Sequence, residues 1–267
     1  MNKMNLLLIS NSTDPEKNPI PKGDYREEFG ESRYLLWPYE FIKNFCQKHN
    51  VKKVLFVPFA GVNLNSESIQ KSYDVYEARV KDVYAKFGVE IYSVHKEPRP
   101  IEAVMKAEAI AVGGGNTFFL VNELHRLGLM DAIKERAANG MPYMGWSAGS
   151  NIACPTIKTT NDMPIIEPES FEGMNLIPFQ INPHYLDANP EGHGGETREE
   201  RIMEFLTVNR NIKVVGLRER CLLHIENGKL MFKFKDKDSK PGPYTLRIFE
   251  FGKPAVEVDA ENVAKVL

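Results

Sequence analysis

The sequence predicts an α/β fold: a mostly parallel central sheet flanked by helices, with a β-rich C-terminal extension. Three observations predict it. Short β-branched and aliphatic runs alternate with longer amphipathic stretches, the pattern of βα units. Two of the runs end in glycine-containing turns that open directly into a helix start, at 113–115 and 145–149. From Cys221 onward the alternation gives way to strands separated by turns.

Taken in order, the first strand is the run 5–9 and the second is 53–59, closed by Ala60-Gly61. Between them, 36–49 carries Phe41 and Phe45 at helical spacing and reads as a crossover helix. A long polar helix over 67–87, a strand over 89–94 and a short helix over 101–107 follow. Ala109-Ile110-Ala111-Val112 then runs into Gly113-Gly114-Gly115, and Asn116 is placed to cap a helix with Leu120, Leu124 and Leu127 on one face. A helix over 130–138 stops at Asn139-Gly140, and a strand over 142–146 enters Ser147-Ala148-Gly149. Next come a strand over 177–182, a helix opened by Thr197 with Glu200 three residues on, and a strand over 213–217. Asn227-Gly228 between 222–226 and 229–234 is a hairpin signal, and 245–251 reads as one more strand. Segments 14–33 and 235–243 read as surface insertions. The expected organisation is one domain over 1–267, with a core over about 4–217 and the β extension over about 221–267.

Composition narrows the function. The 267 residues, 42% of them hydrophobic, suffice for a substantial core. With 34 basic and 36 acidic residues the net charge is -2, so no global field recruits nucleic acid or a membrane surface. A small-molecule or peptide partner is expected instead. The first apolar run is only four residues long, too short for a signal core or a membrane span, which predicts a soluble, unexported protein. Cys46, Cys154 and Cys221 are odd in number and widely spaced. They argue against a disulfide framework and fit a reducing cytoplasm.

Gly145-Trp146-Ser147-Ala148-Gly149 is a GxSxG sequence at a strand-to-helix turn. A serine there has an exposed Oγ, and the Ala148 N–H at the helix start can stabilise an oxyanion. A helix-capping serine in a tight turn is the plainer reading. Gly113-Gly114-Gly115-Asn116 lacks the glycine at 118 that a dinucleotide fingerprint needs, since Phe118 stands there, and lacks the Gly-Lys of a P-loop. It reads as a tight turn able to lend a second oxyanion donor, the Gly114 N–H. Of six histidines, His184 follows a strand and would emerge at a sheet edge. If that strand is parallel to the one feeding Ser147, it is the same edge. His193, in a glycine-rich loop, is the runner-up. The acid that orients the base is Asp162, in a loop between the two, or Glu219, just past a strand. A metal set of His184, His193 and Glu196 has no established ligand spacing.

LLLISNST (6–13), VLFVPFAGV (54–62), VGGGNTF (112–118), GWSAGSNIACPTIKTTNDMPI (145–165), INPHY (181–185) and PEGHGGETREERI (190–202) together resemble the S51 serine peptidases, a family of aspartyl dipeptidases and cyanophycinase. The likeness runs from the first strand to about Leu217. It implies hydrolysis of dipeptides with a free N-terminal aspartate, by a Ser-His-Asp arrangement on a fold akin to class I glutamine amidotransferase (flavodoxin-like) domains. It also implies no metal or organic cofactor, and a monomer or homodimer. Carried over, Ser147 is the nucleophile, His184 the base and Asp162 the charge-relay acid, with Glu219 at a position also proposed for that third role. Gly114 and Ala148 supply the oxyanion donors, and Arg198 holds the substrate's aspartyl carboxylate. Read from the residues alone, Arg198 is either a bidentate carboxylate grip or a solvated arginine in the first turn of a helix. Compared with compact members, 14–33 and 230–243 are long. A cyanophycinase-like hydrolase of β-aspartyl-arginine and a non-catalytic amidotransferase-like binding module are the rival readings.

Overall fold

The computed structural model describes residues 3–13, 33–189, 191, 192, 194–235 and 244–267. Up to residue 151 the chain alternates strand and helix much as its periodicity requires: β1 (Asn5–Ile9), α1 (Tyr39–Lys48), β2 (Lys53–Val57), α2 (Ile69–Ala85), β3 (Glu90–Ser93), α3 (Pro100–Lys106), β4 (Ala109–Val112), α4 (Thr117–Arg126), α5 (Leu129–Ala138), β5 (Tyr143–Trp146) and the short α6 (Ala148–Asn151). Then follow β6 (Gln180–Tyr185), α7 (Arg198–Val208), β7 (Val214–Arg218), β8 (Cys221–Glu226), β9 (Lys229–Phe234), β10 (Leu246–Phe249), β11 (Val256–Val258) and α8 (Val263–Val266). The cap signals act as expected. Asn116 accepts from the Phe119 N–H, and Thr197 and Glu200 form a reciprocal capping box on α7.

The strands form two sheets. The larger has the order β3-β2-β4-β5-β1-β8-β9 and the smaller β11-β10-β7-β6. From β3 to β1 all pairings are parallel, whereas β8 runs antiparallel to β1, and β9 antiparallel to β8. The central sheet is thus mostly parallel with an antiparallel edge, and the strand that carries His184 is not in it: β6 pairs with β7 in the smaller sheet. The physical reason is that β8 occupies the edge of β1 that a further parallel strand would need. The β-rich stretch from Cys221 onward is divided, its hairpin closing the larger sheet and β10 and β11 extending the smaller one. The Asn227-Gly228 turn has φ of 49° and 76°, the doubly left-handed geometry of a two-residue hairpin.

Strand alternation sorts side chains to the two faces of the larger sheet. Leu6, Leu8, Ile110 and Val112 cluster with Val104 of α3, Leu120 and Leu124 of α4 and Ile133 of α5. Leu7, Ile9, Ala111 and Met144 cluster with Ile42 and Phe45 of α1 and Val80 and Tyr84 of α2. A third cluster joins β6, β7 and β10 to Ile202 and Leu206 of α7. Among the described residues no helix is long and apolar enough to cross a membrane. Residues 14–32, most of the first expected insertion, and 236–243 of the second lie outside the described residues, as does His193.

Candidate active site

Because β4, β5 and β1 are parallel neighbours, the chain leaves all three at one edge of the larger sheet, and Ser147 stands there at the end of β5. Its backbone has φ 53° and ψ -110°. For a residue with a side chain such a left-handed conformation costs on the order of 1–3 kcal/mol, so the surroundings must impose it. They do so through hydrogen bonds: the Ser147 N–H donates to the Ile9 carbonyl at 3.0 Å, while its own carbonyl accepts from the N–H groups of Ser150 and Asn151. Small neighbours are obligatory. A Cβ on Gly149 would stand 2.2 Å from the Val112 carbonyl oxygen, and one on Gly145 would stand 2.3 Å from that of Gly149.

His184 reaches the serine from the other sheet. It sits at the irregularity between Pro183 and Tyr185 where β6 slips register against β7, with φ 52°. Ser10, just past β1, ties the joint: its hydroxyl accepts the His184 N–H at 2.9 Å and donates to the Leu217 carbonyl at 2.8 Å. Thus oriented, His184 Nε2 lies 3.1 Å from Ser147 Oγ and Nδ1 lies 2.9 Å from Glu219 Oε1. An ionised carboxylate only accepts, so Nδ1 carries the proton toward Glu219 and Nε2 is free to accept the Ser147 hydroxyl. Glu219 is held on the tight β7–β8 turn, where Arg220 has φ 61° and donates its N–H to Asn11 Oδ1 at 2.9 Å.

The N–H groups of Gly114 and Ala148 are donated to no described residue. Gly114 is steered by Tyr76, whose buried hydroxyl donates to the Gly114 carbonyl at 2.9 Å and accepts from Trp146 Nε1 at 3.0 Å and Tyr34 at 3.1 Å. Ser147, His184 and Gly114 open onto a cleft of about 560 Å³, also lined by Arg79, Asn63 and Asp162.

A serine, an imidazole and a carboxylate in this relay form a hydrolase site, and the comparisons with known proteins decide which kind. The sequence profile of peptidase family S51 matches residues 28–232. The chain belongs to peptidase family S51. It is 44% identical over 252 residues to peptidase E of Nostoc sp., covering 94% of this chain and 91% of that one. It is 40% identical over 257 residues to peptidase E of Salmonella typhimurium, covering 96% and 98%. A solved peptidase from an acI-B1 Actinobacterium shares the fold with a TM-score of 0.62 at 16% identity, covering 97% of this chain and 95% of that one. This chain is therefore a serine-type S51 peptidase.

Against that background the two candidate acids separate. Asp162 makes no hydrogen bond or ion pair with His184. Its Oδ2 accepts from the Thr117 N–H at 2.7 Å, the Thr117 hydroxyl at 2.5 Å and the Thr160 hydroxyl at 3.0 Å. Of the two expected orienting acids it is Glu219 that is hydrogen-bonded to His184 Nδ1, whereas the loop after α6 ties Asp162 to Thr117 at the start of α4. Arg198, at the first turn of α7, lies in a neighbouring cavity of about 150 Å³ that shares Asp162 as a wall. Burial pushes the Arg198 pKa below the ordinary guanidinium value, the Arg201 charge adds to this, and Asp162 opposes it. Arg198 forms no ion pair with any described residue. Reasoning from sequence missed Ser10, Tyr76 and Arg79. Arg79 stands in the cleft with its guanidinium 5.4 Å from the centre of the Tyr34 ring, but in α2 it looks like any exposed helix arginine.

Proposed function

We propose that this S51 peptidase hydrolyses dipeptides with a free N-terminal aspartate, through an acyl-enzyme on Ser147. The observation that carries the reading is the single imidazole hydrogen-bonded at once to the serine of a strained strand-to-helix turn and to the Glu219 carboxylate. Ser147 Oγ attacks the aspartyl carbonyl and gives its proton to His184 Nε2, and Glu219 stabilises the imidazolium that forms. The Gly114 and Ala148 N–H groups take the oxyanion. His184 then protonates the departing amine, and water, deprotonated by the same nitrogen, releases aspartate. The sequence calls on no metal or organic cofactor.

Arg198 takes the side-chain carboxylate. A half-buried guanidinium with no described acid paired to it is a poor structural element and a good receptor for an anion that arrives with the substrate. The parallel-strand core is in keeping with a class I glutamine amidotransferase-like arrangement in one peptidase domain, acting as a monomer or homodimer. The three unpaired, buried cysteines suit a cytoplasmic setting.

The test is a substrate panel of Asp-Leu, Asn-Leu, Glu-Leu, N-acetyl-Asp-Leu and β-Asp-Arg with wild type and Ser147→Ala. Wild type should cleave Asp-Leu at least about 100-fold better than Asn-Leu, because loss of the carboxylate leaves Arg198 unpaired. Ser147→Ala should leave only background. Equal rates on Asp-Leu and Asn-Leu would remove Arg198 from recognition, and preference for β-Asp-Arg would move the chain to the cyanophycinase reading.

A further inference from the structure

The acid that stands apart from the relay has a position of its own, and the geometry points to Asp162 as the receptor for the substrate's free α-ammonium group. This inference rests on the aspartyl-dipeptidase reading above.

An N-terminal aspartate presents two opposite charges beside the scissile carbonyl: the ammonium on Cα and the carboxylate one carbon further on. A site that selects for the unblocked amine must put an anion near Cα, because an ammonium taken from water without a counter-charge is strongly disfavoured. Of the described residues lining the Ser147 cleft, Asp162 is the one acid. Glu219 is engaged by His184.

The way Asp162 is held suits that task. All three of its donors, the Thr117 N–H, the Thr117 hydroxyl and the Thr160 hydroxyl, converge on Oδ2. They fix the plane of the carboxylate and leave Oδ1 without a hydrogen bond to any described residue. At the start of α4 Asn116 accepts from the Phe119 N–H at 3.0 Å and Asp162 Oδ2 takes the Thr117 N–H, so the helix end uses one oxygen of the carboxylate and makes no claim on the other. One oxygen is anchored and the other has no hydrogen bond to a described residue, in a side chain that lines the cleft.

The surroundings repeat the charge order of the substrate. Asp162 is a shared wall of the Ser147 cleft and of the cavity that holds Arg198. The two residues feel one another's charge yet form no direct ion pair. A closed pair would have to be broken for substrate to enter. Held apart, the anion and the cation each remain free for the ammonium and the carboxylate of one aspartyl residue.

The discriminating probe is succinyl-Leu, which is Asp-Leu with the amine replaced by hydrogen. The measured quantity is the ratio of kcat/KM for Asp-Leu to that for succinyl-Leu, in wild type, Asp162→Asn and Thr160→Val. Loss of a hydrogen bond between charged groups should lower the ratio about 10- to 100-fold in Asp162→Asn. Thr160→Val keeps the carboxylate but loosens its anchor, so the ratio falls by less; it also carries the test if the first variant does not fold. A ratio unchanged in both variants, whatever happens to the absolute rates, overturns the assignment and reduces Asp162 to a structural tie. If wild type cleaves no Asp-X peptide at all, the aspartyl-dipeptidase reading itself falls and takes this inference with it. A wild type that cleaves Asp-Leu and a variant ratio that does not move sink only the role of Asp162.

Discussion

Glu219→Gln keeps the shape of the side chain beside His184 and removes its charge. In the relay, that charge stabilises the imidazolium formed as Ser147 attacks. The two side chains meet at 2.9 Å and are 40% and 35% exposed, so the interaction is strong in contact but screened by solvent. Taking the charge centres as about 4 Å apart in an effective dielectric of about 20 to 40, the lost attraction is about 2–4 kcal/mol. If it is felt fully in the transition state, kcat/KM for Asp-Leu falls by about 30- to 1000-fold. The assay is steady-state hydrolysis of Asp-Leu, together with the second-order rate of fluorophosphonate labelling of Ser147, which reports activation of the nucleophile without requiring a substrate amine. Labelling should slow more in Glu219→Gln than in Asp162→Asn. A Glu219→Gln enzyme with more than about a third of wild-type kcat/KM, or labelling slowed more by Asp162→Asn, would refute the assignment of the third member to Glu219.

Three further outcomes follow from the packing. Tyr76→Phe deletes a hydroxyl that makes three hydrogen bonds, two of them buried, and leaves Trp146 Nε1 and the Gly114 carbonyl short of a partner. The melting temperature should fall by about 3–10 °C, with kcat reduced more than KM is raised, checked by calorimetry and kinetics. Burial pushes the thiols of Cys46, Cys154 and Cys221 each up to about 12, so iodoacetamide at neutral pH should modify none of them in the native protein and leave Asp-Leu hydrolysis intact, as read by mass spectrometry and assay. Arg218 binds Asp187 and Glu257. The hydrogen bond from Arg218 holds Asp187 below its ordinary 3.8, and at Glu257 the upward pull of burial is outweighed by hydrogen bonds from Arg218 and Thr245. Depressed carboxylates add stability above their unfolded values and lose it as pH falls through the folded ones. The difference in melting temperature between wild type and Arg218→Met should therefore be greatest near about pH 6–7 and shrink below about pH 4.

The local units of the fold were legible because each carries its own stop and start signals. The Val112 strand, its glycine turn and the Asn116 cap specify one another within eight residues, and Asn-Gly specifies the β8–β9 hairpin. The division into two sheets was not legible, because period-two burial looks the same whichever sheet a strand joins. β6 shows the difficulty. Sequence ends the strand at Asn182, since Pro183 has no N–H to offer a ladder. In the structure the strand begins later and runs on to Tyr185. It can do so because β6 is an edge strand of the smaller sheet, where a missing donor on the outer side costs nothing. The next N–H, that of His184, goes to a serine side chain instead of a neighbouring strand.

The same joint explains which parts of the site could be read and which could not. Ser147 announces itself because its turn has a local signature, two glycines around the serine at a strand-to-helix junction within five residues. The third member has no such local signature. Asp162 and Glu219 both stand in turns after regular elements, and their surroundings in the sequence favour neither. What separates them is the meeting of two sheets: Ser147 comes from one, His184 and Glu219 from the other, and the Ser10 hydroxyl that links His184 to Leu217 is 174 positions from the histidine. His184 Nδ1 meets Glu219 on the β7–β8 turn, and Asp162 lies on the cleft wall. The acid beside the base is thus fixed by how the two sheets meet, and no spacing between Ser147, His184 and either acid encodes it.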